Sequence, residues 1–302
     1  DHLVIVYSHP QWLVKRWINR YGIDTTSKIC EYNNRIPFLT LRVNRLLTSR
    51  TALTASLEAE GIHVTLGGFA PECVKIGYHI SISQLPLFQE GLCQVQDEAS
   101  MLITHLLAPK KGERILDACA GPGGKTTHIA EMMEDKGEII AIDKNRYRLA
   151  QLKANCQRLE LTSIKPILAD ARQILVSWKL FDRILVDAPC SGLGVIRHHP
   201  DIKWLKSEED LNNYYTKQLA ILNGVADYLK KGGVLVYSVC SLEPEETIKV
   251  VGQFLADNPS FIIDRGDNLF PWLDLEGFFR SWIPLSYDMD GLFAVRLKKV
   301  EE

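Results

Sequence analysis

Two of the seven cysteines in this 302-residue chain sit where a thiol could do chemistry. Cys190 lies in Asp187-Ala-Pro-Cys-Ser-Gly192 and Cys240 in Tyr237-Ser-Val-Cys-Ser241. Each run closes an apolar, strand-like stretch, Phe181–Asp187 and Val234–Cys240. A thiol at the end of a strand can act as a nucleophile once deprotonated, and a carboxylate such as Asp187 can bond a polar substrate edge. The other five thiols suggest less. Cys30, Cys73 and Cys93 precede this region, Cys156 falls on a helical pattern and reads as packing, and Cys119 lies in a glycine loop. No Cys-x-x-Cys pair occurs, so the usual zinc spacing is absent and no metal is expected. Scattered cysteines in odd number fit free thiols in a reducing cytoplasm.

The glycine loop is Asp117-Ala-Cys-Ala-Gly-Pro-Gly-Gly-Lys-Thr126, directly after a strand pattern and before a helical one. Its glycines allow a tight turn and close approach of a ligand to the backbone, at a helix start whose amides lack partners. A phosphate-binding P-loop needs Gly five residues before Gly124, where Cys119 stands. A dinucleotide fingerprint needs Gly where Thr126 stands. Asp143 ends the next strand, 22 residues after Gly121, where a carboxylate bonds a ribose diol. Asp170 ends the third strand, near where an adenine would lie. One carboxylate at a strand end is often only a helix cap. A glycine loop and two carboxylates on successive strand ends fit an adenosine cofactor without pyrophosphate, S-adenosylmethionine.

These residues need a frame that collects strand ends. From residue 93 onward, strand patterns at Arg114–Ala118, Glu138–Asp143, Ile164–Asp170, Phe181–Asp187, Val234–Cys240 and Leu292–Leu297 alternate with helical patterns at 124–134, 145–158, 208–230 and 244–257. Alternation of this kind predicts a largely parallel, Rossmann-like α/β sheet with ligands at the carboxyl ends of its strands. Residues 1–92 read differently. Val14, Trp17, Ile18 and Tyr21 make a helical stripe over 8–21, with Lys15, Arg16 and Arg20 off it as a solvated or RNA-contacting face. Leu39, Leu41 and Val43 alternate with Thr40 and Arg42 as in a half-buried strand. A helix from Ser49 to Glu60 and strands at His63–Leu66 and Cys73–Ile76 complete a small α+β unit like an RNA-recognition module without its aromatic signature. The predicted domains are thus 1–92, for RNA positioning, and 93–302, for catalysis.

The runs Asp117–Thr126, Asp187–Gly192 and Cys240–Glu246 resemble the motifs of the RNA cytosine C5-methyltransferases. Arg197-His-His-Pro-Asp-Ile-Lys-Trp204 and Val95-Gln-Asp-Glu-Ala-Ser100 match as well. Tyr7-Ser-His-Pro-Gln-Trp-Leu-Val-Lys15 is similar to the bacterial small-subunit rRNA enzymes of the Sun/Fmu/RsmB type. The resemblance covers essentially the whole chain. It implies a class I methyltransferase fold, S-adenosylmethionine as methyl donor and 16S rRNA as partner. It assigns the cofactor to Cys119, Ala120, Gly121, Pro122, Gly123, Gly124, Lys125, Asp143, Asp170 and Asp187. It makes Cys240 the attacking thiol, with Cys190 assisting release and with Asp187 and Lys125 in the active site. DNA cytosine methyltransferases attack instead with the Pro-Cys thiol, here Cys190, so the residues alone leave both open. A helix from Pro244 would aid Cys240 through its amino-terminal dipole. The sequence departs from the family at Val239, usually Thr, and the NusB-like helical domain that full-length members carry upstream does not appear in it.

Composition agrees with a globular enzyme. The chain is 46% hydrophobic and 24% charged, and no apolar run reaches the length of a membrane helix or follows the basic start of a signal peptide. Net charge is −2, but residues 1–50 hold eight Lys/Arg against three Asp/Glu, a handle for a polyanion. A monomer is expected. The rival readings are a DNA cytosine C5-methyltransferase and a non-catalytic ribosome-assembly factor that binds RNA. The adjacent His198 and His199 suit a substrate loop beside Arg197 better than a metal site.

Overall fold

In the computed structural model, residues 1–77, 81–173, 179–266, 270–281 and 288–300 are described. Two sheets organise them. The smaller is built from β1 (Leu39–Val43), β2 (Val64–Leu66), β3 (Cys73–Ile76) and β4 (Cys93–Val95), antiparallel in the order β2-β3-β1-β4. The helix Arg50–Ala59 joins β1 to β2, its start capped by the Ser49 hydroxyl, which accepts from the Ala52 amide at 3.1 Å. Leu41, Val43, Val74 and Ile76 pack with Leu53 and Leu57 of that helix. The expected small α+β unit is therefore present. Its closing strand, β4, lies just past residue 92.

The larger sheet contains β5 (Arg114–Asp117), β6 (Glu138–Asp143), β7 (Ile164–Leu168), β8 (Phe181–Asp187), β9 (Leu229–Val239), β10 (Phe261–Ile263), β11 (Phe278–Arg280) and β12 (Phe293–Lys299). Its order is β10-β12-β9-β8-β5-β6-β7, with β11 on β12. Strands β5 to β9 pair in parallel, and β12 runs antiparallel to β9. Ile139 to Ile142 and Ile184 to Val186 are buried, as strands covered on both faces must be. The order reverses between β5 and β8, which opens a crevice at their carboxyl ends. This is the predicted Rossmann-like frame.

Several boundaries differ from the sequence patterns. The helix expected over 208–230 ends at Ala226, because Lys230 to Gly233 extend β9 backwards. The helix expected from Pro244 is interrupted. Pro244–Glu246 form one 3-10 turn, Thr247 departs from helical geometry (φ −121°, ψ −101°), and the α-helix begins at Ile248. The amino-terminal helix runs Gln11–Asn33 and bends at Gly22, whose φ of 77° breaks it where the first stripe ends. Its Leu13, Val14 and Trp17 pack on Leu193, Ile196 and Leu211 of the larger unit. Among the described residues, no helix is long and apolar enough to cross a membrane.

The alternation in β1 reads half-buried by sequence, yet Arg42 is 0% and Thr40 7% exposed. The second face of the small sheet docks on the helices Glu98–Leu107 and Gly124–Met132. Arg42 Nε and Nη2 donate to Glu131 at 3.1 and 2.6 Å, Nη2 also reaches Thr127 Oγ1 at 2.9 Å, and Nη1 reaches the Gly124 carbonyl at 2.7 Å and Gln96. Lys75 Nζ pairs with Glu98 at 2.9 Å, and Glu72 Oε1 meets His105 at 2.8 Å and His128 at 3.1 Å. An RNA-recognition module stacks bases on this kind of sheet face. Here the larger unit covers it. Arg42→Ala leaves Glu131 buried without its cation and should cost about 3–5 kcal/mol in urea unfolding. Arg42→Met combined with Glu131→Leu should recover most of that loss. A surface-like cost below about 1 kcal/mol for the single change would refute this account.

Candidate active site

The crevice begins with the glycine loop. Ala120 N–H bonds the Ile142 carbonyl at 2.9 Å, which holds the loop against β6. Gly121 and Gly123 have φ of 55° and 93°, and a Cβ on Gly123 would stand 2.2 Å from Leu152 Cδ1. Only glycine fits there. A Cβ on Gly121 or Gly124 would meet open space, so the loop presents bare backbone to the crevice. Asp143 joins this loop, accepting from Gly121 N–H at 2.9 Å and from Asn145 N–H at 2.7 Å. Each carboxylate oxygen keeps a lone pair for a further donor. Asp170 lies two residues beyond β7 and is clasped by Arg172 at 2.5 Å, a contact that holds its carboxyl down at about 2. Burial pushes the Cys119 thiol far up, and Asp117, Asp187, Asp143 and Asp170 add to the shift. Four carboxylates thus converge around the loop.

The reacting end lies across β8 and β9. Their parallel register sets Asp187 beside Ser238. Asp187 Oδ2 accepts from Lys125 Nζ at 2.7 Å and Oδ1 from Ser238 Oγ at 2.7 Å. Burial disfavours the Lys125 ammonium, but Asp187 outweighs it and raises the Lys125 pKa. Asp117 is 1% exposed and accepts from Thr126 Oγ1 at 2.6 Å, with burial pushing its carboxyl up to about 7. Just past the strand ends, Cys190 Sγ and Cys240 Sγ lie 2.8 Å apart. Contact with Cys240, and then burial, pushes the Cys190 thiol far above its ordinary value. Burial likewise raises Cys30, Cys93 and Cys156 to about 11, so those thiols stay protonated.

The basic residues of the first helix turn inward. Arg16 Nε and Arg20 Nη2 bind Glu243 at 2.5 and 2.7 Å, Trp17 Nε1 binds it at 3.0 Å, and Arg20 Nη1 reaches the Leu242 carbonyl at 3.2 Å. Arg16 also pairs with Glu208 at 2.8 Å and with Glu245. These arginines are therefore neither a solvated face nor free for RNA; they fasten the segment after Cys240, and Lys15 alone of the three stays exposed. The dipole expected at Cys240 also falls away, since a single 3-10 turn carries little macrodipole. Val239 is fully buried in the apolar core behind the site.

Sequence reasoning missed Ser238 and Glu243. Both sit in the Cys240 motif, but neither charge nor spacing says which way they point. Arg197 is not a free cation either. It bonds Asp288, stacks on Tyr32 at 4.2 Å and lies 3.8 Å from Asp290. His198 Nε2 lies 3.2 Å from Asp290, and Asp97, His198 and Asp290 bring donor atoms within 4.8 Å of one another, as do Glu72, His105 and His128. Burial holds His128 down at about 3, so its contact with Glu72 is a hydrogen bond to a neutral ring, and burial beside Asp290 pushes the Asp97 carboxyl up to about 7.

Residues 104–298 match the family described as 16S rRNA methyltransferase RsmB/F, and residues 9–83 match the ferredoxin-like domain of RsmF/B-like methyltransferases. A Bacillus subtilis protein named "Probable ribosomal RNA small subunit methyltransferase B" is 43% identical over 97% of this chain. The chain spans 66% of that relative's length. The solved structure of PH0851 is 33% identical with a TM-score of 0.93, covering 99% of this chain and 68% of its own. A methyltransferase homolog from Pyrococcus horikoshii is 27% identical with a TM-score of 0.85, covering 99% of this chain and 98% of its own.

Asp117 titrates near 7 in the fold against 3.8 in an unperturbed carboxyl. The stability linked to its neutral form is complete below about pH 4 and is lost as pH rises through 7. Urea unfolding at pH 5 and pH 8 should show Asp117→Asn gaining on the wild type at the higher pH. Parallel pH dependence in the two proteins would show that Asp117 ionises without cost.

Proposed function

The chain belongs to the RsmB/F family of 16S rRNA methyltransferases, and on that basis we propose that it methylates carbon 5 of a cytosine in 16S rRNA, with S-adenosylmethionine as donor and a covalent cysteine bond at carbon 6. The observation that carries this reading is the meeting of two thiols, 2.8 Å apart, beside the Lys125–Asp187 pair. Few reactions need two cysteines at one point. Carbon 5 of cytosine is a poor nucleophile until a thiolate adds at carbon 6.

The residues present fit the donor. The open backbone of Gly121 and Gly124 and the Asp143 carboxylate form a cradle for an adenosine moiety. Cys119, Ala120, Pro122, Gly123 and Lys125 complete the loop, and Asp170 stands at its far side. S-adenosylmethionine, when bound, supplies a methyl group on a positively charged sulfur. Cys240 loses its proton to solvent, adds to carbon 6 as the thiolate and pushes electrons toward carbon 5. Asp187 accepts from the exocyclic amine of the base, and Lys125 holds a cation where negative charge develops on the ring. After methylation, the carbon 5 proton leaves, the C5=C6 double bond re-forms and the C6–S bond breaks. A thiol at Cys190 can give its proton to the departing Cys240 sulfur and take the one from carbon 5. Net proton transfer then runs from carbon 5 to Cys240, and both thiols are restored.

The target base must leave its stack or already lie in a loop. A cleft of about 860 Å³ along the helix Gln11–Asn33 is lined by Trp12 and Lys15 together with the ion-paired Arg16, Arg20 and Glu208, and the exposed Lys15 suits a phosphate of flanking RNA.

Cys190→Ala and Cys240→Ala, incubated separately with unmodified 16S rRNA and S-adenosylmethionine, test the assignment. A protein–RNA adduct that survives denaturation is expected with Cys190→Ala, and no methyl transfer is expected with Cys240→Ala. An adduct confined to Cys240→Ala would reverse the two roles. Asp143→Ala should weaken S-adenosylmethionine binding about 10- to 100-fold by calorimetry with an unchanged circular dichroism spectrum. Equal affinity in the two proteins would remove Asp143 from the cofactor site.

A further inference from the structure

The reading above needs Cys190 to stay against Cys240 while a bulky base is bound between the loops. No strand hydrogen bond does this, because both cysteines lie beyond the ends of β8 and β9. The residue that links the two loops is Glu246, six positions after Cys240 and 0% exposed. Its Oε1 accepts from the Ser191 amide at 2.7 Å and from Gln218 Nε2 at 3.2 Å. Its Oε2 accepts from Ser191 Oγ at 2.5 Å. Gln218 Nε2 also donates to the Pro189 carbonyl at 3.0 Å. The residues on both sides of Cys190 are thus tied to one carboxylate.

Glu246 itself is held from the Cys240 side. Tyr237, three residues before Cys240, donates its hydroxyl to the Glu246 carbonyl at 2.6 Å. Ser191 Oγ lies 3.3 Å from Ser241 Oγ, and the Gly194 amide bonds the Cys240 carbonyl at 3.0 Å. A Cβ on Gly194 would stand 1.7 Å from the Gly291 carbonyl oxygen, so this contact tolerates no larger residue. A buried carboxylate with three donors is a costly feature to retain for packing alone. It does not touch the cysteine sulfurs, and it fixes the backbone that carries them.

We propose that Glu246 is a positioning residue for product release: it clamps the Cys190 loop onto the Cys240 segment so that Cys190 stays in reach of the covalent adduct. This inference rests on the proposed cytosine C5 methylation and adds a specific failure. Loss of the clamp leaves Cys240 directly after the last residue of its strand, able to attack, and lets Cys190 drift. The methylated base then stays attached.

The test uses the intact protein with unmodified 16S rRNA and S-adenosylmethionine. Glu246→Ala should accumulate the denaturation-resistant adduct, as Cys190→Ala does. Its turnover should fall about 10- to 100-fold, less than the roughly 100- to 10,000-fold that proton-transfer assistance supplies when lost outright, while single-turnover methyl transfer changes less than about 3-fold. Glu246→Gln keeps one acceptor for the Ser191 amide and should restore most of the turnover. Ser191→Ala removes only the hydroxyl contact and should trap a smaller amount of adduct, which keeps the idea testable if Glu246→Ala does not fold. If Cys190→Ala traps adduct but neither Glu246→Ala nor Ser191→Ala does, the clamp role is overturned and the methylation reading stands. If turnover and single-turnover rates fall together without adduct, Glu246 is merely structural. If wild type makes no 5-methylcytosine and Cys190→Ala traps nothing, the underlying reading fails and takes the clamp with it.

Discussion

One buried guanidinium governs how this protein is put together. Arg42 spends its donors on Glu131, Thr127, Gln96 and the carbonyl of Gly124, and none of it reaches water. A planar cation with a fixed fork of donors is satisfied only when every acceptor is in place. Three of its acceptors, Gly124, Thr127 and Glu131, belong to the helix that the glycine loop opens. The small sheet and the cofactor loop are therefore positioned together. Glu72 and Lys75 extend the same interface to the helix Glu98–Leu107.

This docking changes what the amino-terminal third does. A four-stranded sheet in an RNA-binding context would ordinarily offer its open face to bases. That face is consumed here in docking on the larger unit. The first helix is also drawn inward, since Arg16, Trp17 and Arg20 hold Glu243 just behind Cys240. Three of the eight basic residues in the first fifty, Arg16, Arg20 and Arg42, are paired with acids of the larger unit.

At the site, the frame supplies direction and the loops supply contact. Parallel strands deliver Asp187 and Ser238 side by side, and one carboxylate oxygen of Asp187 is left for each of Lys125 and Ser238. The thiols lie a step beyond regular structure, where side-chain carboxylates take over from the sheet. Glu243 anchors the Cys240 segment from behind, and Glu246 joins it to the Cys190 loop. Both acids are buried, and both have the donors that burial demands.

The sheet, the glycine loop and the two thiol motifs are legible in the order of residues. Alternating apolar runs select a parallel sheet, and in such a sheet motifs at successive strand ends must converge. Positions that require glycine are likewise local, since Gly123 needs its positive φ whatever surrounds it. What the charged residues face is settled by packing alone. Arg42 occupies the outward position of an alternating strand, and Arg16 and Arg20 the polar side of an amphipathic helix. Both patterns would be identical in a solvated surface. The helix expected from Pro244 broke at Thr247 for the same reason, because its acids serve partners from three distant segments instead of one continuous helix. Local pattern records whether a residue is apolar, whereas the partner of a buried charge is set by chain segments hundreds of residues away.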